Sequence, residues 1–201
     1  MAPPRRSTQH QEINVPDRNT VPAVLRDLRA VDGALYAAVA ATPTPALDRA
    51  LRLLSHAADH SKISFGVAAG LALLPGRRPR RAALAGVVSV GLASAAANLF
   101  GKRMVRRHRP DREDAQVAVA RHVPMPESAS FPSGHTASAT AFATAVGVVL
   151  PPAAFPLGSL AVAVGYSRVH TGVHYPGDVA AGAVLGFAAA AVSLGVVRRL
   201  G

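Results

Sequence analysis

From Thr136 to Ser167 the chain runs for thirty-two residues without a charged side chain, and Pro151-Pro152 divide that run near its middle. Ala82–Gly101 is uncharged for twenty residues and ends at Lys102, and Val179–Val197 is uncharged and ends at Arg198-Arg199. A bilayer-spanning helix needs roughly 20 apolar residues, with about 17 as a practical lower limit. Two of these runs meet that length directly, and Ile63–Gly76 and the two halves of the longest run come close. Such a pattern leaves little choice but an all-α fold: a polytopic transmembrane helical bundle of about six helices. A soluble, Ala-rich bundle is the alternative. Basic residues at the ends of the runs favour the membrane, because Lys and Arg flank spanning helices.

The flanking segments read differently. Residues 1–30 include a polar, Pro-containing stretch without periodicity and are expected to form a disordered cytosolic tail; residues 31–201 form the membrane-embedded domain. Pro45–His60 is amphipathic, with Leu47, Leu51, Leu54 and Ala58 at helical spacing. Whether residues 31–60 cross the membrane is left open. Arg77-Arg78-Pro79-Arg80-Arg81 reads as a basic hinge, and Lys102 to about Ser130 as a hydrophilic loop.

The formal charge of +11 invites a nucleic-acid reading. Its distribution opposes that, since the cations sit at the edges of uncharged runs and aromatic residues make up only 4% of the chain. Contact with acidic lipid fits better than nucleic acid. With no cysteine there can be neither a disulfide framework nor a thiolate metal site.

Three polar segments lie where apolar runs meet polar ones: Lys102-x6-Arg109-Pro110, then Pro132-Ser133-Gly134-His135, then Ser167-Arg168-x5-His174-x3-Asp178. In the third, Pro176-Gly177 forces a turn, and Asp178 is expected at a helix N-cap, folding back onto His174. A carboxylate partner fixes the imidazole tautomer and raises the basicity of the other nitrogen. An imidazole so oriented is a competent nucleophile toward phosphorus. In the second, Ser133 and Gly134 open a helix whose unpaired N–H groups favour an anion, and His135 can protonate a leaving alkoxide. Lys102, Arg109 and Arg168 supply fixed cations for the charge spread over a phosphoryl group in flight. With three cations and a helix terminus, no metal or other cofactor is required.

In order and spacing these segments resemble the signature of the type-2 phosphatidic acid phosphatase family, over about residues 55–201. The resemblance implies metal-independent hydrolysis of a lipid phosphate through a phosphohistidine, with His174 as nucleophile, Asp178 orienting it, His135 as general acid, and Lys102, Arg109, Ser133, Gly134 and Arg168 on the phosphate. Vanadium-dependent haloperoxidases share the signature, and a non-catalytic transporter or scaffold is the alternative outside enzymes. With six spans, both termini and Arg77–Arg81 share the cytoplasmic side and the signature faces outward. Substrate candidates are phosphatidic acid, phosphatidylglycerol phosphate, a polyprenyl pyrophosphate and a polyprenyl-phosphoryl pentose phosphate. Arg103, Arg106, Arg107 and His108 read as loop charges near lipid headgroups. His56, Asp59, His60 and Lys62 read as a solvated interfacial face. His170, His174 and Asp178 have metal-site spacing on a helix, which Gly172, Pro176 and Gly177 break.

Overall fold

The structure, a computed structural model, describes residues 20–200, apart from the side chains of residues 20–22, 100, 102 and 200. The described residues contain helices and no strand. They are α1 (Thr20–Ala41), α2 (Pro45–Ala57), α3 (Lys62–Leu73), α4 (Arg77–Ala95), α5 (Lys102–Met104), α6 (Gly134–Val149), α7 (Ala154–His170) and α8 (Pro176–Leu200). A wider, π-helical turn over Ala96–Gly101 joins α4 to α5. Residues 20–30 of the expected tail are thus helical, and residues 1–19 lie outside the described ones.

Helix α6 is the central element, packed on α4, α7 and α8, and α4 also packs on α3 and α8. Small side chains make these contacts. Ala85, Ala145 and Ala190 form one buried cluster with Val197, and Ala93, Ala137, Ala141 and Ala189 form another. Close approach of this kind is how helices associate where no water drives them together. It is tightest at Gly182 and Gly186 of α8, where a Cβ would stand 2.5 Å from the Ser133 carbonyl oxygen and 2.6 Å from that of Ala137.

Arg77–Arg81 is not a hinge but the first turn of α4. Pro79 is tolerated there because first-turn N–H groups have no intrahelical partner. The chain turns instead at Leu74–Gly76, where Gly76 has φ +104°. Pro151 and Pro152 separate α6 from α7 as the sequence suggests.

The bundle has two chemically distinct ends. At one, Arg77, Arg78, Arg81 and Arg198 surround the ends of α4, α6 and α8, and Arg78 Nε donates to Val149 O at 2.8 Å. At the other, the loops before α6 and α8 meet, and the Ser133 N–H donates to Asp178 O at 2.9 Å. Between the ends, Phe155 and Val162 of α7 and Val184 and Phe187 of α8 point outward. Two helical stretches, Arg77–Leu99 and Pro176–Arg199, are long and apolar enough to cross a bilayer. At 1.5 Å per residue α3 extends only about 18 Å and α7 about 26 Å.

Candidate active site

Helix α7 delivers the first part of the site. It ends at His170, and Gly172 takes φ +71° to turn the chain sharply. That turn lets the N–H groups of Val173 and His174 both donate to Arg168 O, at 3.1 and 3.2 Å. A side chain at position 172 would meet Arg112 Cγ at 2.9 Å, so only glycine fits. The next helix starts one residue after Tyr175, at Pro176, a residue preset for a first helical position. Asp178 therefore lies in the first turn of α8 rather than at its N-cap, and its Oδ2 reaches back to the Tyr175 N–H at 2.9 Å.

His174 is buried beside it. Its Nδ1 lies 3.5 Å from Asp178 Oδ2, longer than a formed hydrogen bond, and Ser130 Oγ lies 3.4 Å from the same nitrogen while donating to Asp178 Oδ2. Catalytic contacts in unliganded sites are often this loose. On the other edge of the ring, Arg109 Nη1 donates to Val173 O at 2.7 Å and stands 3.4 Å from Nε2. A guanidinium carries donors only, so Nε2 faces it as an acceptor and Nδ1 holds the proton toward Asp178. Burial lowers the His174 pKa to about 4; the charges of Arg109 and Arg168 act the same way, and Asp178 opposes them. At neutral pH the ring is uncharged, with an available lone pair on Nε2.

The first turn of α6 faces this group. Ser133 is fully buried and caps the helix, accepting from the Thr136 N–H at 3.5 Å and from the Thr136 hydroxyl at 3.0 Å. Gly134 and His135 begin the helix, and a Cβ at Gly134 would meet nothing within 4 Å, leaving the backbone there open to a ligand. His135 Nε2 pairs with Asp59 Oδ1 at 2.8 Å. Asp59 is presented by a turn in which His60 and Ser61 both adopt left-handed backbone angles, rare for residues with side chains. Burial would raise the Asp59 pKa, but the hydrogen bond and charge of His135, with Arg168, hold it below its ordinary value. Arg168 is buried and donates through Nη1 to Ser55 Oγ; its Nε has no partner among the described residues. Its charge acts on both histidines. The Lys102 side chain lies outside the described residues.

The structure thus brings His174, Asp178, Arg109, Arg168, Ser133, Gly134 and His135 to one end of the bundle. It also adds residues that the sequence pattern did not single out. Arg107 is no lipid-facing loop charge: its Nη1 lies 3.0 Å from Asp178 Oδ1 and 2.6 Å from Asp32 Oδ2. Two buried carboxylates hold it inward. Ser130 and Asp32 were missed because each lies outside the segment it serves. The polar cluster at the end of α2 is exposed at His56, His60 and Lys62, while Asp59 turns one oxygen to His135 and has His56 Nδ1 3.5 Å from the other. His170 points away from the site, its Nε2 3.1 Å from Asp48 Oδ1 and 2.9 Å from Thr44 Oγ1. Arg121 donates to Asp48 at 2.9 Å and to Thr42 O at 2.7 Å, closing the C-terminal end of α1.

The sequence model of the PAP2 superfamily matches residues 82–201. Decaprenylphosphoryl-5-phosphoribose phosphatase of Mycobacterium tuberculosis is 38% identical over 152 residues, covering 74% of this chain and 79% of that protein. Among solved structures, the transmembrane PAP2-type phosphatidylglycerolphosphate phosphatase of Bacillus subtilis superposes with a TM-score of 0.68 at 24% identity, covering 87% of this chain and 88% of that one. LpxE of Aquifex aeolicus superposes with a TM-score of 0.60 at 25% identity, over 80% of this chain and 93% of that one.

Proposed function

The chain belongs to the PAP2 superfamily and is a phosphoric monoester hydrolase of the membrane, and from that premise we propose that it removes a terminal phosphate from a polyprenyl-linked lipid through a phosphohistidine on His174. The observation that carries the reading is the neutral, buried His174, with Asp178 and Ser130 at Nδ1 and Arg109 at Nε2.

The chemistry follows from that arrangement. His174 Nε2 attacks phosphorus as the bond to the leaving oxygen breaks; His135, which enters this step protonated with the Asp59 carboxylate at 2.8 Å supporting its charge, gives that oxygen its proton and becomes neutral. Asp178 stabilises the positive charge that develops on the His174 ring. Arg109, Arg168 and Lys102 balance the equatorial oxygens, and the backbone N–H groups of Gly134 and His135 add the helix-terminus field. Water then attacks the phosphohistidine and gives a proton to His135. Inorganic phosphate leaves, and both histidines return to their starting states. No metal takes part in any step.

Two observations support this choice of lipid. The relative with 38% identity is named for a decaprenyl-linked phosphoribose. A groove of about 920 Å³, largely apolar, is bounded by α1, α6, α7 and α8; Thr136, Gly165 and Val179 line it near the reacting groups, and Ala161 and Phe187 line it farther along. A prenyl chain lies there while its headgroup meets His174. The chain crosses the membrane several times, and the site faces outward, because the four-arginine end suits the cytoplasmic side.

Phosphate release from polyprenyl-phosphoryl pentose phosphate, polyprenyl pyrophosphate, phosphatidylglycerol phosphate and phosphatidic acid, with purified protein and a chelator present, tests the reading. The expected order puts the polyprenyl-phosphoryl pentose phosphate first and shows no effect of chelator. Loss of activity in chelator, or equal rates on all four, contradicts it. The same assay on intact cells, with a short-chain impermeant lipid phosphate outside, should release phosphate if the site faces outward.

A further inference from the structure

We propose that Asp32 of α1 and Arg107 are positioning residues of the catalytic centre, holding the Asp178 carboxylate and balancing its charge as His174 becomes cationic. The proposal rests on the reading of His174 as nucleophile. It assigns a role to α1, which lies upstream of the segment matched by the superfamily.

A single nitrogen, Arg107 Nη1, serves both carboxylates: Asp32 Oδ2 at 2.6 Å and Asp178 Oδ1 at 3.0 Å. Asp32 grips the same loop from its other side, its Oδ1 accepting the Gly177 N–H at 2.7 Å. A Cβ at Gly177 would lie 2.8 Å from Asp32 Oδ2, so glycine is what lets the carboxylate come so near. The Arg107 guanidinium also covers the Tyr175 ring at 3.9 Å, and Tyr36 of α1 meets that ring edge-on at 5.5 Å. Residues 175–178 are therefore fixed through a backbone bond, an ion pair and a ring stack, two of them anchored in α1. Both oxygens of Asp178 are occupied, Oδ1 by Arg107 and Oδ2 by Ser130 and Tyr175. That leaves the carboxylate one orientation toward His174.

A buried ion pair can be merely structural, but the charge count gives this one a chemical consequence. These two carboxylates and one guanidinium contribute a single net negative charge on the Nδ1 side of His174, across the ring from Arg109 at Nε2. When phosphorus bonds to Nε2 the ring turns cationic and the group becomes neutral. Asp32→Asn leaves Arg107 to Asp178 alone, cancelling the charge that faced the ring and drawing Asp178 away from it. Arg107→Ala leaves two carboxylates facing each other. The double variant restores the single negative charge.

The expected kinetics follow. Asp32→Asn and Arg107→Ala each lower kcat on the order of 10- to 100-fold, with KM for the lipid unchanged. The double variant is faster than Arg107→Ala alone, a coupling that independent losses would not give. Arg107→Lys recovers part of the rate. Thermal unfolding in detergent, run beside each assay, separates misfolded protein from slow enzyme. The proposal is overturned if KM moves instead of kcat, or if the double variant loses the product of the two single losses. Histidine ring 15N NMR reads it without turnover, the His174 signals being assigned by their absence in His174→Ala. Wild type should show one tautomer, protonated at Nδ1, and Arg107→Ala a mixture; identical spectra overturn the proposal. Wild-type protein that releases no phosphate while the NMR difference persists would sink the phosphatase reading and leave the positioning role standing.

Discussion

His174 is a neutral imidazole at neutral pH, and burial is what keeps it neutral. An ordinary histidine titrates near 6.5; here burial, with Arg109 and Arg168 adding to it, lowers the value to about 4. Between pH 6.5 and about 4 the unfolded chain binds a proton at this residue that the folded chain refuses. Stability is therefore lost as pH falls through that window. The expected titration of His174, followed by its ring 15N shifts, has its midpoint near pH 4. A midpoint near 6.5 would contradict the burial seen here. At this scale the sequence was informative where residues cluster in a motif, since seven of the eight residues named from the three segments gather at one end and the eighth, Lys102, has no described side chain. It was uninformative where a partner lies far away. Arg107 sits two positions before Arg109 and looked like one more loop cation, because nothing local betrays Asp32 in α1.

Helix ends, more than helix middles, build the site. Ser133 caps α6 and Asp178 lies in the first turn of α8, and the bond from the Ser133 N–H to Asp178 O sets the two ends side by side. That spacing depends on Gly182, whose missing side chain admits the Ser133 carbonyl oxygen. Overpacking of this kind typically costs about 1–3 kcal/mol. Gly182→Ala should lower both the melting temperature and kcat, whereas Gly195→Ala, with nothing within 4 Å of the added carbon, should change neither. Unchanged activity in Gly182→Ala would show that the two helix ends need not be so close. The uncharged runs announced α4, α6, α7 and α8. Helix α1 was harder to read, because its N-terminal half carries Arg26, Asp27 and Arg29 and has no apolar run to mark it.

Across the whole molecule, the two ends divide the labour. Arginines gather where α4 begins and α6 and α8 end, and the proposed reacting groups gather where α7 ends and α6 and α8 begin. A largely apolar groove bounded by α1, α6, α7 and α8 passes Thr136 and Val179, the chain neighbours of His135 and Asp178. An all-α chain with long uncharged runs was legible from composition and order alone. The groove was not, because it forms where α1, α6, α7 and α8 meet, a matter of packing rather than pattern. Rapid-quench analysis with a 32P-labelled polyprenyl lipid phosphate decides whether His174 is the nucleophile on which all of this converges. Wild-type protein should carry an acid-labile, base-stable label at position 174 that turns over to inorganic phosphate. Release of phosphate at the wild-type rate by His174→Ala, with no label on the protein, would contradict it.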